Sequence, residues 1–101
     1  MNIYVDIDET ICYHDDNNTR TARDYNLAMP IIENIKKANS LYEDGHTIVY
    51  WTARGAVSGI DWTDLTTDQL NQWGVKYHDL KLNKPYYDLF IDDKALNTEN
   101  W

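Results

Sequence analysis

Cysteine occurs once in these 101 residues, at Cys12, so no disulfide can form within the chain and a reducing compartment is expected. Cys12 follows Ile11 and has no base beside it in sequence, which reads as a small buried hydrophobe rather than a nucleophile. His46 and His78 have no cysteine or second histidine at ligand spacing, which argues against zinc. No stretch approaches the ~20 apolar residues that span a bilayer. The chain opens directly on strand residues, without a basic segment and apolar run, so no signal peptide is expected and a cytoplasmic location follows. Basic residues are also scarce: 9 Lys and Arg stand against 17 Asp and Glu, a net charge of -8. That balance argues against nucleic-acid or membrane partners, which need a basic patch. With 43% hydrophobic and 13% aromatic residues, and neither repeats nor low-complexity segments, the composition is that of one globular domain over residues 1–101.

What the chain does have is two apolar runs that each lead into a pair of aspartates. Ile3-Tyr4-Val5 leads to Asp6-Ile7-Asp8-Glu9-Thr10, and Leu89-Phe90-Ile91 leads to Asp92-Asp93. Carboxylates at the carboxyl ends of buried strands sit where open α/β sheets bind ligands. Four of them converging would repel one another unless a hard cation intervened, and an all-oxygen site suits Mg²⁺.

Residues 2–7 read as a strand and residues 12–28 as a polar flap. From Pro30, placed in a first helical turn, Ile31, Ile35, Ala38 and Tyr42 recur at helical spacing until Gly45 supplies a left-handed cap. Thr47 to Trp51 reads as a buried strand. Thr66 and Gln69 fit a capping box for a second helix ending at Gly74. Val75–His78 and Tyr87–Ile91 read as third and fourth strands. The order predicts an α/β fold: a three-layer sandwich on a mostly parallel sheet of about four strands, with no separate cap domain. Right-handed crossovers would bring Asp6, Thr52 and Asp92 to one rim.

In order, these motifs resemble those of the haloacid dehalogenase superfamily of phosphohydrolases. Asp6-Ile7-Asp8-Glu9-Thr10 resembles its first motif, Thr52 in Trp51-Thr52-Ala53-Arg54 its second, Lys84 its third and Asp92-Asp93 its fourth. Lys84 lies only eight residues before Asp92, a compact spacing that leaves Lys81 as a rival for the lysine role. The likeness extends to small members without a large cap, associated with capsule and surface-sugar biosynthesis, and implies a sugar- or polyol-phosphate substrate. A nucleotidase is the alternative substrate class. A phospho-accepting receiver domain also combines acidic residues, Thr and Lys, but it carries its acidic pair on the first strand and its acceptor aspartate on the third.

The residues themselves suit phosphoryl transfer, which needs a nucleophile, a cation and donors for the equatorial oxygens. Asp6 is the expected nucleophile, forming an aspartyl-phosphate, and Asp8 the expected general acid and then base. Mg²⁺ is expected on Asp6, Asp8 (through its backbone carbonyl) and Asp92 or Asp93. The Thr52 hydroxyl and the Ala53 backbone N–H would hold a phosphate oxygen, Lys84 would neutralise both the phosphate and Asp6, and Arg54 would clamp substrate. His14, Arg20, Arg23 and Tyr25, in the flap, are candidates for leaving-group recognition, with a plain solvated loop as the competing reading. Trp62 is a candidate for lining the pocket. The expected partner is a small phosphorylated metabolite. Four tryptophans favour a homo-oligomer while the acidic charge opposes one.

Overall fold

β-branched and aromatic residues fill Thr47–Trp51, and this run is the centre of the sheet. The computed structural model describes residues 1–18 and 23–101, so Arg20 lies outside the described residues. The elements are β1 (Asn2–Val5), β2 (Cys12–Tyr13), β3 (Met29–Pro30), α1 (Ile32–Glu43), β4 (Thr47–Trp51), α2 (Thr63–Gln72) and β5 (Asp79–Lys81). β1, β4 and β5 form a parallel sheet in the order β1-β4-β5, with Ile3 opposite Ile48 and Tyr50 opposite Leu80. β2 and β3 pair antiparallel as a separate two-stranded ribbon in the flap. The chain is therefore α/β, with no cap domain among the described residues.

Strand alternation separates the two faces of the sheet. Val5, Ile48 and Tyr50 point to the face where Ile35 and Ala38 of α1 and Leu70 of α2 join them in one buried cluster. The residues of opposite parity include Tyr4 and Thr47, both exposed, Trp51, half-buried, and Val49, which is buried but lies outside that cluster. Both helices thus pack on one face, giving two layers where three were expected.

Three other expectations are corrected. Pro30 lies in β3 opposite Cys12 rather than in the helix, and Ile31 N–H donates to the Ile11 carbonyl (2.8 Å), so the ribbon holds this stretch extended until α1 begins. The third strand starts four residues later than predicted. Val75 is instead a core residue at the exit of α2, and pairing begins where His78 N–H donates to the Ile48 carbonyl at 2.8 Å. Tyr87–Ile91 is not a strand. Leu89 and Ile91 are 74% and 88% exposed, and the Tyr87 and Phe90 rings approach to 5.2 Å between centroids. Residues three apart in an extended strand point to opposite faces, so that contact requires a chain folded back on itself.

The helix ends follow the sequence more closely. Gly45 (φ +94°) and Gly74 (φ +69°) adopt the left-handed conformation just beyond α1 and α2, as their positions predicted.

Candidate active site

A parallel sheet delivers the residues that follow its strands to one rim. Asp6 follows β1, Thr52 follows β4, and Lys84 comes three residues after β5. Lys84 is tied there by its backbone, because its N–H donates to the Thr52 carbonyl at 3.1 Å while Thr52 N–H donates to the Lys81 carbonyl at 2.9 Å. Its Nζ lies 3.6 Å from Asp6 Oδ1. Lys81 turns elsewhere, donating to the Tyr4 hydroxyl at 3.3 Å, so the lysine beside Asp6 is Lys84. The non-glycine residues with positive φ among those described, Glu9 (+64°) and Asn83 (+71°), adjoin Asp8 and Lys84. Such conformations persist only where the surroundings enforce them.

Asp6 keeps 37% of its side chain exposed at this rim. Burial raises its pKa, and the opposing charge of Lys84 only partly offsets the shift. Its carboxylate therefore sits beside a cation that does not fully compensate it.

Asp8 is held quite differently. Its Oδ1 lies 2.7 Å from His14 Nε2 and accepts from Arg54 Nη2 at 2.9 Å, while Oδ2 accepts from Arg54 Nε at 3.0 Å. The Cys12 thiol donates to Oδ1 at 3.4 Å. Burial alone would raise the Asp8 pKa, but the hydrogen bonds from His14 and Arg54 outweigh it and hold the carboxyl well below the usual range. In this arrangement both Asp8 oxygens are engaged, Oδ1 by His14, Arg54 and Cys12 and Oδ2 by Arg54.

Arg54 is the largest departure from the sequence reading. It is 2% exposed and presents nothing to a substrate. Nη1 donates to Thr66 Oγ1 (3.1 Å) and Gln69 Oε1 (2.6 Å), Nη2 reaches Cys12 Sγ at 3.8 Å, and the guanidinium lies 4.7 Å from the Tyr25 ring centroid. The expected substrate clamp is thus a buried structural cation. Thr66 and Gln69, predicted to cap α2, instead lie inside a helix that begins at Thr63 and turn inward onto Arg54. Residues three apart share a helix face, so a capping box and an inward polar pair carry the same sequence signature.

The flap packs against this network. His14 and Asn18 are buried. Asn18 Nδ2 donates to the Asp24 carbonyl (2.8 Å) and faces His14 Nδ1 (3.3 Å), while Asn18 Oδ1 accepts from Asp24 N–H (2.7 Å). This fixes the Asn18 amide so that its N–H points at Nδ1, leaving the His14 proton on Nε2, facing Asp8. Arg23 reaches Glu9 at 3.3 Å, and Tyr25 meets Trp62 edge-on at 5.1 Å. His14 and Tyr25 therefore belong to the site rather than to a solvated loop. No periodicity marks them, and only the fold brings them to Asp8.

Cys12 is fully buried, as expected, and its thiol pKa is raised by burial and by the neighbouring Asp8 charge. The ligand atoms of Asp8, Cys12 and His14 lie within 4.8 Å of one another. Arg54 already fills that space with positive charge, which makes the trio a hydrogen-bonded cluster rather than a metal centre. The oxygen donors expected for Mg²⁺ are right in kind but not gathered. Asp92 and Asp93 are exposed, Asp92 accepts the Lys94 N–H at 3.0 Å, and no second group of acidic side chains at ligand distance occurs among the described residues. Thr52 is fully buried, and its Oγ1 accepts the Arg54 N–H at 3.1 Å while its own proton remains to be donated. Ala53, beside it, is half-buried.

No protein-family model matches this chain, and no curated protein matches it. Among solved structures it is similar to a Vibrio cholerae protein described only as a crystallographic target of the MCSG, with a TM-score of 0.81 and 25% identity over 98% of this chain and 85% of that one. No helix among the described residues is long and apolar enough to cross a membrane.

Proposed function

We propose that this protein is a phosphohydrolase of the haloacid dehalogenase type, which cleaves a small phosphate monoester through an aspartyl-phosphate on Asp6. The observation that carries the reading is the Asp6–Lys84 pair at the rim. It combines an incompletely compensated carboxylate with a lysine at 3.6 Å. Asp6 would attack phosphorus as the ester P–O bond breaks, the leaving oxygen taking a proton from solvent, and Lys84 would take up charge on the equatorial oxygens. Asp8 would orient the water that hydrolyses the phosphoenzyme and gives its proton back to solvent.

The finer fold belongs to the same reading. Among the described residues β1 has no strand on its outer side. Tyr87–Ile91 is irregular in this structure and would have to extend and pair there for a fourth parallel strand to carry Asp92 and Asp93 to the rim beside Asp6. Mg²⁺ would then have Asp6, the Asp8 backbone carbonyl and Asp92 or Asp93 as oxygen donors, and when bound it would shield Asp6 from the phosphate it attacks. A sugar- or polyol-phosphate is the favoured substrate, and a nucleotide the alternative.

The test is a screen of purified protein with Mg²⁺ against phosphorylated sugars, polyols and nucleotides, with and without chelator. Chelator-sensitive release of phosphate from one of these classes is expected. No release from any of them would contradict the proposal.

A further inference from the structure

Guanidinium has five N–H donors, and in Arg54 each has a partner. Two meet Asp8, one Thr66, one Gln69 and one the Cys12 sulfur. Tyr25 closes one face of the group. A side chain this fully engaged cannot also bind phosphate without breaking a buried contact, and a buried ion pair broken on one side is strongly unfavourable.

Gln69 extends the contact outward. It is buried, accepts from Arg54 with Oε1 at 2.6 Å, and donates with Nε2 to the Tyr25 carbonyl at 2.6 Å. One amide therefore joins the guanidinium that grips Asp8 to the backbone of the flap. His14, held by Asn18, grips Asp8 from within the flap itself.

We propose that Arg54 is a positioning residue: it fixes the Asp8 carboxylate from behind and, through Gln69, couples the orientation of Asp8 to the seating of the flap. This rests on the phosphohydrolase reading and assigns Arg54 a role other than substrate binding. Substrate that presses on the flap is then felt at Asp8 through Tyr25, Gln69 and Arg54, without direct contact with any of the last three side chains.

The experiment measures kcat, KM and inhibition by inorganic phosphate for wild type, R54K, Q69L, D8N and the D8N/R54K pair, using an ester that wild type hydrolyses. R54K is expected to lower kcat about 100-fold, the loss that a misplacement of roughly 1 Å brings, while KM and the phosphate inhibition constant stay within about threefold. In the D8N background R54K is expected to cost nothing further, because Arg54 acts only through Asp8. Q69L is expected to lower kcat about tenfold, again with phosphate inhibition unchanged. A tenfold or larger weakening of phosphate inhibition in R54K, or an equal loss of rate on adding R54K to D8N, overturns the proposal. If circular dichroism shows that R54K does not fold, Q69L carries the test, and an unchanged kcat in folded Q69L overturns it. A wild type inert toward every ester overturns the phosphohydrolase reading and this proposal together, whereas an active wild type with either contrary result overturns this proposal alone.

Discussion

Arg54 meets both carboxylate oxygens of Asp8, Nε to Oδ2 at 3.0 Å and Nη2 to Oδ1 at 2.9 Å, although the two residues are 46 apart in sequence. Arg54 is buried and Asp8 half-buried, and a buried guanidinium left without its partner is costly. Asp8→Ala should therefore destabilise the fold by about 3 kcal/mol or more, because it strands the guanidinium. Adding Arg54→Leu to Asp8→Ala should recover part of that loss. Urea denaturation of both single variants and the double variant measures the coupling, and strictly additive losses would contradict it.

Asp6 and Asp8 should respond oppositely to pH. Asp8 has a lowered folded-state pKa, so its stabilisation is present above the ordinary carboxylate value of about 4 and is lost as pH falls below it. Asp6 has a raised one, so its ionisation opposes folding at neutral pH, and the penalty disappears as pH falls through that value. Asp8→Asn should accordingly lower Tm at pH 7, with the deficit shrinking below about pH 4. Asp6→Asn should raise Tm at pH 7 and lose that advantage in acid. Thermal melts across pH check both signs.

The loop after Arg54 depends on Gly55. Its φ is +81°, and a Cβ there would come 2.1 Å from the Ile60 carbonyl oxygen. Gly59 shares a positive φ of +75° but has open space around it. Gly55→Ala should cost at least about 2 kcal/mol, combining backbone strain and overlap, against about 1 kcal/mol for Gly59→Ala. Denaturant midpoints distinguish the two, and equal effects would mean that the loop yields freely.

Lys84 and Lys81 compete in sequence but not in space. Lys84→Ala should lower kcat about 100-fold or more and weaken inhibition by inorganic phosphate, since it removes a fixed charge at the developing phosphoryl group. Lys81→Ala breaks only the contact with Tyr4 and should leave both constants within about threefold of wild type. The reverse order of effects would assign the phosphate lysine to Lys81.

The parts legible in the sequence are those set by local chemistry. Thr47–Trp51 had to be a strand because its β-branched and aromatic residues suit one, and Gly45 and Gly74 had to end helices because only glycine takes their φ without strain. Strand order alone brought Asp6 and Thr52 to one rim, whereas Asp92, expected with them, is exposed and follows no strand, and Lys84, expected from the resemblance, lies beside Asp6. What escaped were features with ambiguous or absent signatures. Thr66 and Gln69 have the spacing of a cap whether they cap or turn inward. Arg54 opens a loop that carries Gly55 and Gly59, as an exposed clamp would, and nothing local says that Asp8 and Tyr25 will enclose it. His14 carries no pattern that links it to Asp8, six residues before. Tyr87–Ile91 has strand composition, but composition supplies no neighbour, and here its aromatic rings turn back on one another.

The central claim is that Asp6 is the nucleophile, and the direct measurement is mass spectrometry of protein acid-quenched during turnover of a hydrolysed ester. Wild type should carry the mass of one phosphoryl group on the peptide containing Asp6, and Asp6→Asn should carry none and lose turnover while remaining folded. A folded Asp6→Asn protein that still hydrolyses the ester, or a phosphoryl group mapped to another residue, would contradict the account.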